Sequence, residues 1–148
     1  MVYTSTRYLV IRDAVFDLLR ADAALAADVR GWAKDPESFA SLAATQFPAI
    51  AVLFPQEIGE QQARWASAGH DHTYEFEVMV SAETLDSGGA QDKSIAYMER
   101  AEDVLRANPT LGGMARSVQC RVSRRVSEKR QKTWRSTVAL LVRVEKRV

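Results

Sequence analysis

The stretch Phe47-Pro48-Ala49-Ile50-Ala51-Val52-Leu53-Phe54-Pro55 constrains the fold more than any other. Two prolines bracket a short apolar run. Proline lacks the backbone N–H that a helix interior and a central ladder both need, so each proline marks an end. The run between them is too short for a helix and rich in strand formers. The pattern predicts a strand over Ala49–Phe54, buried on both faces.

Other segments supply partners for it. From His72 to Ala82 the period is two: Tyr74, Phe76, Val78 and Val80 point one way, and Thr73, Glu75, Glu77 and Ser81 the other. Near the C-terminus Val118, Cys120 and Val122 alternate with polar residues, as do Trp134, Val138, Leu140, Val142 and Val144. A polar connection, Ser127 to Lys132, joins them, which predicts a β-hairpin with a charged tip and places Cys120 in an interior strand.

Two long helices are expected. One runs from Ser5, a plausible N-cap, to Ala21, with Tyr8, Ile11, Val15, Leu18 and Leu19 on one face. The other covers Gln91–Ala107, after a turn at Asp86–Gly89, and is stopped by Asn108-Pro109 and Gly112-Gly113. Asp22 caps a short helical piece. Gly31-Trp32 breaks the pattern, and Asp35-Pro36-Glu37 opens a short helix over Ser38–Ala44. Gln56 to Gly69 reads as a long loop or irregular arm. The expected architecture is α+β in two layers: a mostly antiparallel or mixed sheet of about four strands covered by two long helices, one domain across residues 1–148.

With 148 residues, 47% hydrophobic and 26% charged, the chain suits a single soluble globular domain. A formal net charge of +1 argues neither for nor against nucleic acid, so any electrostatic message lies in local clusters. The single cysteine excludes an internal disulfide. Arg7, Arg12 and Asp13 interrupt any signal-like apolar core, and no stretch is long enough to cross a bilayer. The expectation is synthesis in the cytoplasm and no membrane partner.

The only two histidines, His70 and His72, flank Asp71 and would share a strand face. Zinc normally takes three or four protein ligands, and no third is placed beside them, so neither metal nor cofactor is expected. No nucleophile elbow and no phosphate-binding glycine loop occurs, so no catalytic residue is assigned. Glu75 and Glu77 share a face as the wet side of a sheet. Two surface features stand out. Arg121, Arg124, Arg125, Lys129, Arg130, Lys132 and Arg135 crowd one hairpin, with Glu128 the only acid. Such a tip is either a solvated turn or a docking element for nucleic acid or an acidic protein. Trp65 in the polar arm is either an interface anchor or a side chain tucked back onto its own sheet.

The stretch Phe47-Pro48-Ala49-Ile50-Ala51-Val52 resembles the "FPAVAV" signature of bacteriophage tail terminator proteins, the tail-completion or minor tail U-type family. The likeness continues in order through the polar arm with its tryptophan, the strand Tyr74–Val80, the following helix and the C-terminal strand pair. The opening helix Ile11–Leu19 is also similar. The longer Gly31–Thr45 segment and the very basic hairpin depart from the pattern.

The resemblance implies a non-enzymatic ring, typically a hexamer of the chain with itself. It caps the finished tail tube in the virion tail, assembled in the host bacterial cytoplasm. The implied partners are the tail tube protein and a head connector or neck protein, with DNA passing through the lumen without sequence-specific binding. On that reading Gln56, Glu57, Arg64, Trp65, His70 and His72 are candidates for the contact between copies or with a partner. Arg124, Arg125, Lys129, Arg130, Lys132 and Arg135 are candidates for docking or for facing the lumen. A related neck protein, a small metal-dependent hydrolase using His70 and His72, and a nucleic-acid-binding module using the hairpin are the alternatives.

Overall fold

The structure, a computed structural model, describes residues 7–54 and 71–147. Helix α1 spans Arg7–Ala21, and α2, Ala23–Asp28, follows at once. Asp22 separates them: its carboxylate accepts from the Leu25 N–H at 3.1 Å, the cap that the sequence suggests. A short strand β1 (Gly31–Ala33), helix α3 (Pro36–Ala40) and a 3-10 turn (Ala44–Gln46) lead into β2 (Ala49–Leu53). Asp35 caps α3 by accepting from the Ser38 N–H at 2.8 Å. Strand β3 (Asp71–Thr84), helix α4 (Ser87–Arg106) and the hairpin strands β4 (Ser117–Lys129) and β5 (Trp134–Arg147) complete the chain.

Among the described residues the sheet has five strands, in the order β1-β2-β3-β5-β4. Only β1 and β2 run parallel; every other pair is antiparallel, so the sheet is mixed and the class is α+β. The strand beyond the expected four is β1, where Gly31-Trp32 had read as an interruption. Three residues are too few to display a period, and the register with β2 creates the strand. The N–H groups of Arg30 and Gly31 donate to the Pro48 carbonyl at 2.8 and 3.2 Å, and the ladder then pairs Gly31 with Ala49. Gly31 is required there: a Cβ would sit 2.5 Å from the Gln46 carbonyl oxygen.

Register decides which side chains share a face, because directly opposed residues point the same way. Ile50 opposes Val80, Val52 opposes Val78, and Phe76 opposes Val142. These residues join Ile11, Val15 and Leu19 of α1 and Met98, Ala101 and Leu105 of α4 in the main core. The opposite face carries a second, small cluster of Ala33, Ala51 and Leu53, covered by Phe39 of α3 and Met79. All five residues of β2 are therefore buried, as expected of a run hydrophobic on both sides.

Three further boundaries differ from expectation. Asp86-Ser87-Gly88-Gly89 is a helix start: the Asp86 carboxylate accepts from the Gly89 N–H at 2.9 Å, and α4 begins at Ser87. Helix α3 ends at Ala40 and not at Ala44. Cys120 lies on β4, an edge strand, because β5 inserts between β3 and β4.

Candidate docking surface

Gln56, Glu57, Arg64, Trp65 and His70 lie outside the described residues. His72 falls in β3 opposite Lys146, with its side chain likewise outside them. Among the described residues no three His, Cys, Asp or Glu side chains converge in a way that could hold a metal ion.

The basic hairpin is described in full, and a β-bulge organises it. Val122 pairs with Leu140 and Arg124 with Ala139, so Ser123 is the extra residue. Its hydroxyl donates to the Ala139 carbonyl at 3.2 Å. The bulge resets the alternation. Arg124, Val126 and Glu128 oppose Ala139, Thr137 and Arg135, on the face away from the two long helices. Arg125, Ser127 and Lys129 oppose Val138, Ser136 and Trp134, on the helix-bearing face. Arg130 and Lys132 occupy the turn, closed by the Arg130 N–H donating to the Thr133 carbonyl at 2.7 Å. The seven cations that crowd one sequence stretch are thus distributed over two faces and a turn.

Two of the seven, Arg124 and Arg135, are already committed within the chain. On the face away from the helices Arg143 pairs with Glu75 at 2.8 Å and Arg124 with Glu77 at 3.1 Å. Glu75 and Glu77 share that face as expected, held in cross-strand ion pairs. Arg135 departs from the expected exposed docking role. Its side chain is 11% exposed, its guanidinium lies 4.2 Å from the centre of the Phe47 ring, and it pairs with Glu83, 5% exposed, at 3.2 Å. Burial pushes the Glu83 carboxyl up, but the Thr133 hydroxyl and the Arg135 guanidinium pull it further down, below the usual glutamate value. Arg135 is a structural cation, fixed by the residue directly opposite it in β3.

The remaining cations are less constrained. Arg130 approaches Glu128 only to 3.8 Å, with both about half exposed. Arg121, Arg125, Lys129 and Lys132 form no ion pair among the described residues. Strand β4 is exposed from Arg121 to Lys129, and Val122 and Val126 present 47% and 52% of their surface. The outer edge of β4 carries no partner strand among the described residues.

Two concavities flank this arm. A groove of about 310 Å³ crosses the sheet between α3 and β4, with Phe39, Phe47, Met79, Val126 and Ala139 in its lining and Arg124, Glu128 and Arg130 beside them. A wider bay of about 680 Å³ lies at the hairpin turn, lined by Leu42, Ala44, Glu83, Lys129–Thr133 and Arg135. Cys120 offers no obvious chemistry: burial pushes its thiol up to about 11, so it stays protonated at neutral pH.

No family model matches the chain, and no curated protein matches it. Among solved structures it is similar to a chain of the "Virion of native gene transfer agent (GTA) particle". The likeness covers 91% of this chain and 94% of that one, with a TM-score of 0.51 and 16% sequence identity. At that identity the shared property is the fold, and it extends over nearly the whole of both chains.

Proposed function

We propose that the chain is a structural component of a phage-like particle, and more finely a tail terminator that closes into a ring on the end of the tail tube. The carrying observation is the fold: nearly end to end it resembles a chain of a gene transfer agent virion. The "FPAIAV" strand and the order of elements around it support the finer reading. The reading needs no catalytic step.

A closed ring requires heterologous contacts, two different patches of one copy meeting across a rotation. The edge of β4, unpaired among the described residues and carrying exposed Val122 and Val126, supplies one patch. The apolar-lined groove between α3 and β4 supplies a concave surface for a neighbouring copy or a tail partner. A head connector or neck role would use the same surfaces.

Light scattering with mass determination tests the ring: a monodisperse particle several protomers in mass is expected, and a strict monomer at high concentration overturns it. Tail tubes of abnormal length in particles made without the gene identify a terminator. Tubes of normal length that fail to join heads identify a neck protein instead.

A further inference from the structure

The bay at the hairpin turn has a chemistry distinct from the groove beside it. Lys129, Arg130, Lys132 and Arg135 line it, against one carboxylate, Glu83. Glu83 is already engaged by the Thr133 hydroxyl and by Arg135. Lys129 and Lys132 have no ion-pair partner among the described residues, and Arg130 has only a distant one. Three cationic side chains therefore converge on one concavity whose single carboxylate among the described residues, Glu83, is already engaged. Like charges held together repel, and a bound anion relieves that repulsion.

The lining also says which anion. A protein interface of ordinary strength buries apolar or aromatic anchors at its centre, and among the described residues the bay has only Leu42 and Ala44. Among the described residues no aromatic side chain lines it, so they offer no platform for stacking unpaired bases. Two exposed lysines and one guanidinium at a wide, shallow opening fit the repeated phosphates of a duplex.

We propose that the bay at the turn of the β4–β5 hairpin binds the phosphate backbone of double-stranded DNA without reading its sequence. This goes beyond the ring reading, because a ring through which DNA only passes needs no phosphate contact.

The test uses the full chain and a labelled mixed-sequence duplex, followed by fluorescence anisotropy at increasing salt. Three neutralised phosphates give a slope of log K against log salt of about −2.7, roughly a 40-fold loss of affinity per engaged protomer between about 50 and 200 mM. Replacing Lys129 and Lys132 together by alanine should make that slope shallower by about 1.8. Replacing Arg121 and Arg125, which do not line the bay, should leave it near the wild-type value. Both pairs are exposed, so folding is retained, and thermal unfolding verifies it. The proposal is overturned if the duplex does not bind, or if the control pair matters as much as the lysines. It is also overturned if polyglutamate binds while the duplex does not, which would make the bay a dock for an acidic protein. Particle mass measured in the same buffers reports on the ring separately, so either reading can fail without the other.

Discussion

Strands β2 and β4 belong to one sheet, yet every residue of β2 is buried while β4 is exposed from Arg121 to Lys129. Strand β2 has a neighbour on each side and a layer on each face: Ile50 and Val52 meet the long helices, and Ala51 and Leu53 meet Phe39 and Met79. Among the described residues strand β4 has β5 on one side and no neighbour on the other. A residue of β2 is therefore fixed by packing in every direction, and a residue of β4 mostly by its ladder. The first kind of position sets stability. The second is available for contacts outside the chain, and its side chains tolerate change.

The largest test of this contrast is Ile50→Ala. Ile50 is fully buried, and removing its outer carbons leaves a cavity that a two-sided strand cannot collapse into. The expected cost is about 2–5 kcal/mol, read as a lower urea midpoint at unchanged slope. A cost under about 1 kcal/mol would mean that β2 is less tightly enclosed than its burial indicates.

The Glu83–Arg135 pair lies between the extremes, on β3 and β5. Glu83→Gln removes the charge and leaves the Arg135 guanidinium buried beside Phe47 without its counter-ion. The expected loss at neutral pH is about 2–3 kcal/mol. Its pH dependence has a definite sign. The folded Glu83 carboxyl is held below its ordinary value of 4.5, so its contribution is complete above that pH and is lost as the pH falls through the lower folded value. The difference in urea midpoint between wild type and Glu83→Gln should therefore shrink on acidification below 4.5. A difference that stays constant would show that the charge on Glu83 contributes nothing.

The same contrast explains what could be read from the sequence. Helices α1 and α4 and strand β3 were legible because burial imposes a period on them, and Tyr74, Phe76, Val78 and Val80 display it without interruption, while β2 was legible as an unbroken apolar run between two prolines. Asp22 and Asp35 were legible as caps because capping is local. Strand β1 was not, since three residues show no period and its pairing comes from a distant segment. The bulge at Ser123 leaves no mark in composition, yet it decides which face each arginine takes, turning Arg124 away from the long helices and Arg125 toward them. The burial of Arg135 was hidden for a related reason. Its environment is Glu83 opposite it and Phe47 beside it, and only the three-dimensional register brings those together. The candidate site was visible as a count of cations, and the structure divides that count into committed and available charges.

The smallest expected effect on folding carries the most information about function. Val122→Ser and Val126→Ser truncate exposed side chains on opposite faces of β4. Neither leaves a cavity, so unfolding free energy should change by less than about 0.5 kcal/mol. If the β4 arm is where copies of the chain meet, assembly should respond although folding does not. Each apolar contact whose loss costs about 1 kcal/mol raises the protomer concentration needed for association roughly fivefold. Sedimentation at a series of dilutions would show the ring dissociating at higher concentration in one variant or both, and the variant that responds identifies the face of β4 that is covered. Unchanged dissociation in both would remove the arm as an interface between copies. A folding loss above about 1 kcal/mol would place the valines with β2 and erase the contrast, since exposed positions remote from packing do not produce losses of that size.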